Sequence, residues 1–271
     1  MKAYLRELIA ATPNKLEATH VVREYLQARI LQSLQRARAM QTLAFHGGTS
    51  LRFLFDIPRY SEDLDFALEL NREAYDFRKF LQQIVKDFSA EAYEVDVKLN
   101  DKRVVHKAFI RFRGLLYELG LSVHETEVLS IKIEINTNPP LGATLATTPI
   151  YKYVPTNLHH HDRATLLAGK LHAILNRAYI KGRDWYDLWW YLNQADWPLP
   201  NFTHLNSSLR QTNSPLPLLT ADNWKPILRE RILALNWTTV LNDVEPFIIE
   251  KATQADFSLA TLLASFELFR S

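Results

Sequence analysis

Residues 45–66 have the sequence FHGGTSLRFLFDIPRYSEDLDF, and this stretch decides the predicted fold. The preceding residues 42–45 are largely apolar, as in a buried strand, and the pair Gly47 and Gly48 follows almost at once. Helical spacing of apolar residues then resumes over 51–55. The pattern predicts a strand, a glycine turn and a helix in close succession.

The glycine turn is also a candidate site for a phosphate group. Glycine lets a phosphate approach the backbone, and the start of a helix offers free N–H donors and the positive end of the helix dipole. Gly47, Gly48 and Thr49 are therefore predicted to bind a nucleotide, with Ser61 nearby along the chain. The alternative is that the two glycines only turn the chain.

Two aspartates follow in the segment Ser61–Phe66, where polar and apolar residues alternate. Residues two apart in a strand point the same way, so Asp63 and Asp65 share one face, opposite the core side chains. Neighbouring carboxylates repel each other unless a cation lies between them. The pair predicts a metal site, and a solvated edge strand is the alternative.

A third carboxylate occurs in the sequence Ile131-Lys132-Ile133-Glu134-Ile135. The isoleucines are expected to face the core, which leaves Glu134 on the opposite face of a strand that could lie beside Asp63 and Asp65. The three carboxylates could hold a pair of hard cations, although a lone glutamate is more often a surface residue. The chain has no cysteine, so any metal needs oxygen or imidazole ligands.

The composition of the 271-residue chain is that of a globular protein, with 47% hydrophobic and 23% charged residues. A formal net charge of +2 gives no argument by itself for nucleic acid. No apolar run approaches the roughly 18 residues that span a bilayer, and the N-terminus lacks the apolar core of a signal peptide. We therefore expect a cytoplasmic protein with no membrane contact.

The order of predicted elements divides the chain into an α/β half and a helical half. The first half is expected to hold a helix at 16–34, a helix at 71–88 capped by Asn71, strands at 93–99, 105–112 and 129–136, and an edge strand at 148–154. The second half is expected to hold helices at 162–177, 184–193, 224–235 and 258–269, with an irregular, proline-rich link at 197–219. These elements predict an α+β fold with a domain at 1–155 and a helical domain at 156–271.

The run GGTSLRFLF…RYSEDLDFAL resembles the signature of the nucleotidyltransferase-like toxins of the AbiEii/AbiGii (MenT) family. Residues 44–68 carry this resemblance, and Glu134 adds to it less specifically. The family pattern continues with a helix that bears a lysine and with an Arg-Asp-x-x-Asp sequence. The segments 162–170 and 183–187 are similar to these two parts.

The resemblance implies a polymerase-beta-like mixed sheet with flanking helices and a C-terminal helical bundle that completes the active site. It implies that Lys170 contacts a nucleoside triphosphate, that Asp63 and Asp65 bind Mg²⁺, and that Asp184 and Asp187 complete the pocket. The spacing agrees, because Asp184 and Asp187 are three apart on one helical face and could orient Lys170. A helix-end ion cluster is the alternative.

Two groups of basic residues have more than one interpretation. Arg183 could be a phosphate ligand or a surface residue. Alternation over 105–113 places Lys107, Phe109, Arg111 and Arg113 on one strand face, a pattern that suits an RNA backbone with a stacked base. A solvated charged face is the alternative.

Two functional hypotheses follow. In the first, an RNA 3′-hydroxyl attacks the α-phosphate of a nucleoside triphosphate and releases pyrophosphate. The resemblance then implies tRNA acceptor ends as substrate, a toxic outcome, and a separate antitoxin protein as partner. In the second, the chain is a non-catalytic module that binds nucleotide or a partner. Transfer of a nucleotide to a protein or a small molecule is also open.

Overall fold

The computed structural model describes residues 2–249 and 256–269 of the chain. Its strands are β1 (Leu43–His46), β2 (Leu64–Leu68), β3 (Val95–Asn100), β4 (Val105–Arg113), β5 (Val128–Asn136), β6 (Leu145–Lys152) and β7 (Val154–His161). The helices of the first half are α1 (Lys2–Ala10), α2 (Lys15–Arg36), α3 (Gly47–Phe55), α4 (Phe77–Ser89) and α5 (Leu115–Glu118). Those of the second half are α6 (Arg163–Asn176), α7 (Gly182–Leu192), α8 (Phe202–Gln211), α9 (Trp224–Leu233), α10 (Trp237–Val244) and α11 (Leu259–Leu268).

The strands form one mixed sheet in the order β3-β4-β5-β2-β1-β7-β6. Strand β2 pairs antiparallel with β1 and parallel with β5, while β5 pairs antiparallel with β4. Alternation sorts the side chains by face, so that Ile131, Ile133 and Ile135 are fully buried while Glu134 lies on the other side. The predicted α+β class and mixed sheet are confirmed.

Hydrophobic burial explains why the long helices of the first half form. The core joins α2 and α4 to the apolar sheet face, and Val22, Leu26, Ile30 and Ile84 lie in it with no exposed surface. Helix α4 is capped by Asp76, whose side chain accepts a hydrogen bond from Lys79 N.

Some predicted elements were wrong. The predicted cap Asn71 instead has a left-handed backbone before a short 3₁₀ turn, because Asp76 offers a better-placed cap. The link predicted as irregular contains α8, which begins at the Asn201 cap and lies between the two proline pairs of that segment. Strand β7 was not predicted, since its three consecutive histidines obscure the apolar alternation.

The chain divides into two compact units. The first comprises residues 1–54, 60–139 and 147–160, and the second comprises 55–59, 140–146 and 161–271. The boundary predicted at residue 155 lies near the start of β7, whereas this division lies near its end. Two short segments from the domain predicted at 1–155 thus belong to the helical unit.

Across the ranges 2–249 and 256–269, no helix is both long enough and apolar enough to cross a membrane.

Candidate active site

Strand β1 passes into helix α3 without an intervening turn, because the helix begins at Gly47 itself. Gly47 has a φ of +78°, and a Cβ atom there would lie 2.3 Å from Oδ2 of Asp65. Only glycine combines this backbone conformation with such a close approach. The Asp65 carboxylate therefore lies against the first residue of α3.

The hydroxyl groups that follow Gly47 are engaged within the protein. The Thr49 hydroxyl donates to the backbone oxygen of Asp63, and Ser50 Oγ donates to the backbone oxygen of Gly47 at 2.8 Å. Thr49 and Ser50 are both fully buried. Thr49 therefore fixes the segment that carries Asp63 to the start of α3.

A buried glutamine on α2 holds the loop before β2. Gln27 Nε2 donates to the backbone oxygens of Ser61 at 3.1 Å and of Glu62 at 2.9 Å. The loop that contains Ser61 is thus positioned through its backbone. Gln27 is a residue that sequence reasoning missed, since no local pattern marks a glutamine on a core helix as the support of a distant loop.

Strand register places four predicted or neighbouring site residues in one row across the sheet. His46 is opposite Asp65, Asp65 is opposite Glu134, and Glu134 is opposite Lys107. Residues opposite each other on adjacent strands present their side chains to the same face. The predicted neighbourhood of Asp65 and Glu134 is thus present in the strand pairing.

Lys132 lies among the carboxylates. Its Nζ is 2.8 Å from Asp63 Oδ2 and 3.3 Å from Glu134 Oε2, and Lys107 Nζ is 2.6 Å from Glu134 Oε1. We call Asp63, Asp65, Glu134, Lys107 and Lys132 the sheet-face cluster. The negative charges of Asp63 and Glu134 are therefore partly balanced by these lysines.

The lysines set the ionisation of Glu134. Burial alone would raise the pKa of Glu134, but the hydrogen bond from Lys107 and the charges of Lys132 and Lys107 outweigh it and lower that pKa. Burial likewise lowers the pKa of Lys132, and Asp63 and Glu134 reverse this effect, so its pKa is raised. Both shifts favour the charged forms of Glu134 and Lys132.

The carboxylates can be tested against the Mg²⁺ ions that the resemblance implies. Carboxylate oxygens are suitable donors for a hard cation, and Asp63 and Asp65 could hold one. Within residues 2–249 and 256–269, however, no group of three or more potential ligands is arranged to hold a metal. Lys132 lies between Asp63 and Glu134, so the donors present fit one ion better than two.

The basic strand β4 continues the same sheet face away from the carboxylates. Arg111 Nε and Arg113 Nε donate to the two carboxylate oxygens of Asp96 on β3 at 2.5 and 2.6 Å. Phe109 lies between Lys107 and Arg111 on this face and is 37% exposed. The predicted basic residues with an interleaved aromatic ring are therefore together, but Asp96 and Glu134 offset part of their charge.

The second group of predicted residues forms a cluster in the helical unit. Lys170 on α6 places its Nζ 3.0 Å from Asp184 Oδ1 and 2.5 Å from Asp187 Oδ2, both on α7. Arg59 makes two hydrogen bonds to Asp187, at 2.5 and 2.6 Å. Arg177 NH1 lies 3.0 Å from Asp184 Oδ2, an ionic contact whose angles fall outside hydrogen-bond geometry.

We call these five residues, Arg59, Lys170, Arg177, Asp184 and Asp187, the buried ion cluster. Arg59 and Asp187 are each 1% exposed and Asp184 is 4% exposed. Three cations face two anions, so the cluster has one net positive charge. Burial alone would lower the pKa of Lys170, but Asp187 and Asp184 outweigh it and raise that pKa.

Arg183 contacts Phe247 and Asp243. Its guanidinium carbon is 4.1 Å from the centre of the Phe247 ring, and its backbone N–H donates to Asp243 at 3.1 Å. A cation over an aromatic face is a stabilising contact. These contacts show how Arg183 is held and leave its predicted role in nucleotide binding as a prediction.

Sequence reasoning missed Lys132 and Arg59. The alternation that placed Glu134 on the outer face also places Lys132 there, so a signal for Lys132 was present. Arg59 gave no such signal, because its partner Asp187 is 128 residues away along the chain.

Two solved structures from Helicobacter pylori share this fold. JHP933 of Helicobacter pylori has a TM-score of 0.54 at 18% identity, with 92% of this chain and 91% of that chain covered. A proposed nucleotidyltransferase of the same organism has a TM-score of 0.52 at 17% identity, with 92% and 93% covered. Identities this low support the shared fold alone.

The family model of the nucleotidyl transferase AbiEii toxin, from Type IV toxin–antitoxin systems, matches residues 29–260. The match spans most of the chain, including both clusters. The chain belongs to this family, as the resemblance predicted. No curated protein matches it.

Proposed function

We propose that the chain transfers a nucleoside monophosphate from a nucleoside triphosphate to the 3′-hydroxyl of an RNA. The hydroxyl oxygen bonds to the α-phosphorus, the bond from that phosphorus to the bridging oxygen of the pyrophosphate breaks, and pyrophosphate leaves. The proton of the hydroxyl passes to a carboxylate of the aspartate pair. Family membership supports the reaction class.

One observation carries the proposal for this site. The Asp65 carboxylate lies against Gly47 at the first residue of α3, and Thr49 ties the Asp63 segment to the same point. Free backbone N–H groups at a helix start bind phosphate oxygens, while carboxylates beside them can orient a hydroxyl. A nucleotide phosphate and an acceptor hydroxyl are thus given suitable partners within a few ångströms.

We assign a divalent cation, Mg²⁺ by its preference for oxygen, to Asp63 and Asp65. When bound, it would supply positive charge that stabilises the charge developing on the phosphate oxygens. The protein's own contribution is to hold both aspartates in place through the contacts of Gly47 and Thr49. We keep Gly48 and Ser61 as proposed nucleotide contacts.

For the helical unit by itself, the role proposed for the buried ion cluster is to hold Lys170 as an oriented cation that can contact a phosphate group. Asp184 and Asp187 fix its ammonium group, and the net positive charge of the cluster favours an anion nearby. Arg183 is proposed as a further phosphate contact.

The acceptor proposed is RNA, with a tRNA 3′ end as the form that the resemblance favours. Lys107, Arg111 and Arg113 offer charges for the backbone, and Phe109 offers a ring for stacking. If so, Arg111→Ala and Arg113→Ala together should weaken RNA binding and reduce its dependence on salt, measured by filter binding at several salt concentrations. Unchanged RNA affinity and an unchanged dependence on salt would show that this surface does not bind RNA.

The test of the reaction incubates the pure protein with each α-labelled nucleoside triphosphate, Mg²⁺ and total tRNA. Label should enter RNA, and Asp63→Ala should abolish its transfer. An Asp101→Ala variant is the matched control, because it removes a carboxylate that pairs with Arg78 outside the proposed site. Absence of transfer with every nucleotide would contradict the proposal, and label in protein or a small molecule would replace RNA as acceptor.

Membership of a Type IV toxin–antitoxin family also supports a toxic activity and a cognate antitoxin. Induced expression should slow growth in a manner that requires Asp63. Equal growth inhibition by Asp63→Ala would separate toxicity from transfer.

A further inference from the structure

Lys132 occupies the position in the sheet-face cluster where a second cation was expected. Its ammonium group bridges Asp63 on one strand end and Glu134 on the neighbouring strand, at 2.8 and 3.3 Å. Its side chain is 26% exposed, so solvent screens these contacts only in part. The lysine is thus a charged group built into the proposed site.

Glu134 is committed to lysines through both of its carboxylate oxygens. Oε1 contacts Lys107 and Oε2 contacts Lys132. A metal ion at Glu134 would have to displace at least one ammonium group and leave it without that carboxylate. Glu134 is therefore better suited to be the counter-ion of two lysines than a metal ligand.

We propose that Lys132 is a positioning residue that fills one cation position of the site, so that the site takes one divalent cation and Glu134 holds the lysine. This inference rests on the proposed function. Lys132 keeps Asp63 in place and supplies a fixed positive charge close to where the phosphates of the nucleotide are proposed to bind. A single ion then needs only Asp63 and Asp65.

The proposal has a consequence for metal affinity in the absence of any nucleotide. An ammonium group on Asp63 repels an incoming divalent cation and competes for the same oxygen. Removing that charge should tighten binding of the cation, whereas removing a true ligand would weaken it. At separations near 4 Å this repulsion is large enough for a change of about tenfold or more after solvent screening.

The test is a titration of the full chain with Mn²⁺, followed by electron paramagnetic resonance. Wild type should bind one Mn²⁺, and Lys132→Met should bind Mn²⁺ about tenfold or more tightly. Lys132→Arg, which keeps the charge, should stay close to wild type, and Lys132→Gln repeats the test if the methionine variant does not fold. Lys98→Met is the matched control, because Lys98 lies in the same row of the sheet face, beyond Phe109.

The inference would be overturned if wild type bound two Mn²⁺ ions, or if neither wild type nor Lys132→Met bound Mn²⁺. It would also be overturned if Lys132→Met bound Mn²⁺ no more tightly than wild type. Label transfer to RNA is measured on the same preparations. Wild type that binds Mn²⁺ as expected but transfers no label would contradict the proposed function and leave the competition by Lys132 established. If wild type binds two Mn²⁺ ions and still transfers label, the proposed function would be supported and the role of Lys132 as a substitute for the second cation would be contradicted.

Discussion

The two ionic clusters of this chain both pair carboxylates with cations but differ in exposure. In the sheet-face cluster the paired side chains are 22–45% exposed, as for Glu134 and Lys107. In the buried ion cluster, Arg59 and Asp187 have side chains that are 2% and 0% exposed, and only Arg177 at its edge reaches 31%. Partly exposed ion pairs contribute little to stability, while breaking a buried pair leaves a charge that water cannot reach.

This difference indicates which cluster is open to a ligand. Lys107 and Lys132 on the sheet face can contact an anionic ligand while they keep their carboxylates, because their side chains are 45% and 26% exposed. Arg59 cannot do so, since its side chain is 2% exposed and the carboxylate of Asp187 raises its pKa against the effect of burial. We infer that the sheet face provides adaptable charge and that the buried cluster provides fixed orientation.

The largest effect on stability is expected from Asp187→Asn. The change keeps the shape of the side chain but removes the main counter-charge of Arg59 and Lys170. We expect a loss of about 3–5 kcal/mol in the free energy of unfolding, measured with urea. Asp243→Asn is the control at an exposed partner of Arg183 and should cost less than about 1 kcal/mol. Equal losses of stability for both variants would contradict the greater contribution that we assign to the buried ion cluster.

An intermediate effect is expected from Gly47→Ala. The new Cβ would clash with Asp65 Oδ2, and the alanine would have to keep the positive φ of Gly47. That backbone conformation alone costs about 1–2 kcal/mol. Gly120→Ala is the matched control, because Gly120 has a φ of +72° and no atom within 4 Å of the added Cβ. Both variants should lose stability in urea, but only Gly47→Ala should lose label transfer. Normal transfer by Gly47→Ala would mean that the approach of Asp65 to α3 is not needed.

The smallest effect is the acid dependence that Glu134 adds to stability. Its pKa in the folded protein is lowered from 4.5, so its contribution is present above that value and is lost as the pH falls through the folded pKa. We expect less than about 1 kcal/mol, since Lys107 is 45% exposed. Unfolding in urea from pH 7 down to pH 3 should lose slightly less stability for Glu134→Gln than for wild type. A larger loss of stability for Glu134→Gln would contradict a pKa of Glu134 that is lowered in the folded protein.

Much of the fold followed from local patterns in the sequence. The alternation around Glu134 and the helical spacing of α2 are strong because each buries a continuous apolar face. Strand β7 and helix α8 could not be predicted in that way. Their apolar spacing is interrupted by histidines and enclosed by prolines, so tertiary packing determines the outcome.

The candidate site was predictable where its parts are close in sequence or share a periodicity. Asp63 and Asp65 share a strand face, and Asp184 and Asp187 share a helix face, so each pair was visible from spacing. The contact of Asp65 with Gly47 depends on the pairing of β1 with β2, and that of Arg59 depends on a residue 128 positions away. Only the folded chain reveals such contacts.

The most direct test of the central claim is the rate of label transfer by Asp65→Asn, measured together with its free energy of unfolding. We expect a rate at least about 100-fold below wild type, which corresponds to about 2.7 kcal/mol in the transition state. Stability should change by less than about 1 kcal/mol, because a partly exposed residue on the sheet face is replaced by its neutral isostere. Transfer at the wild-type rate by a folded Asp65→Asn protein would contradict the claim that the sheet-face carboxylates carry the chemistry.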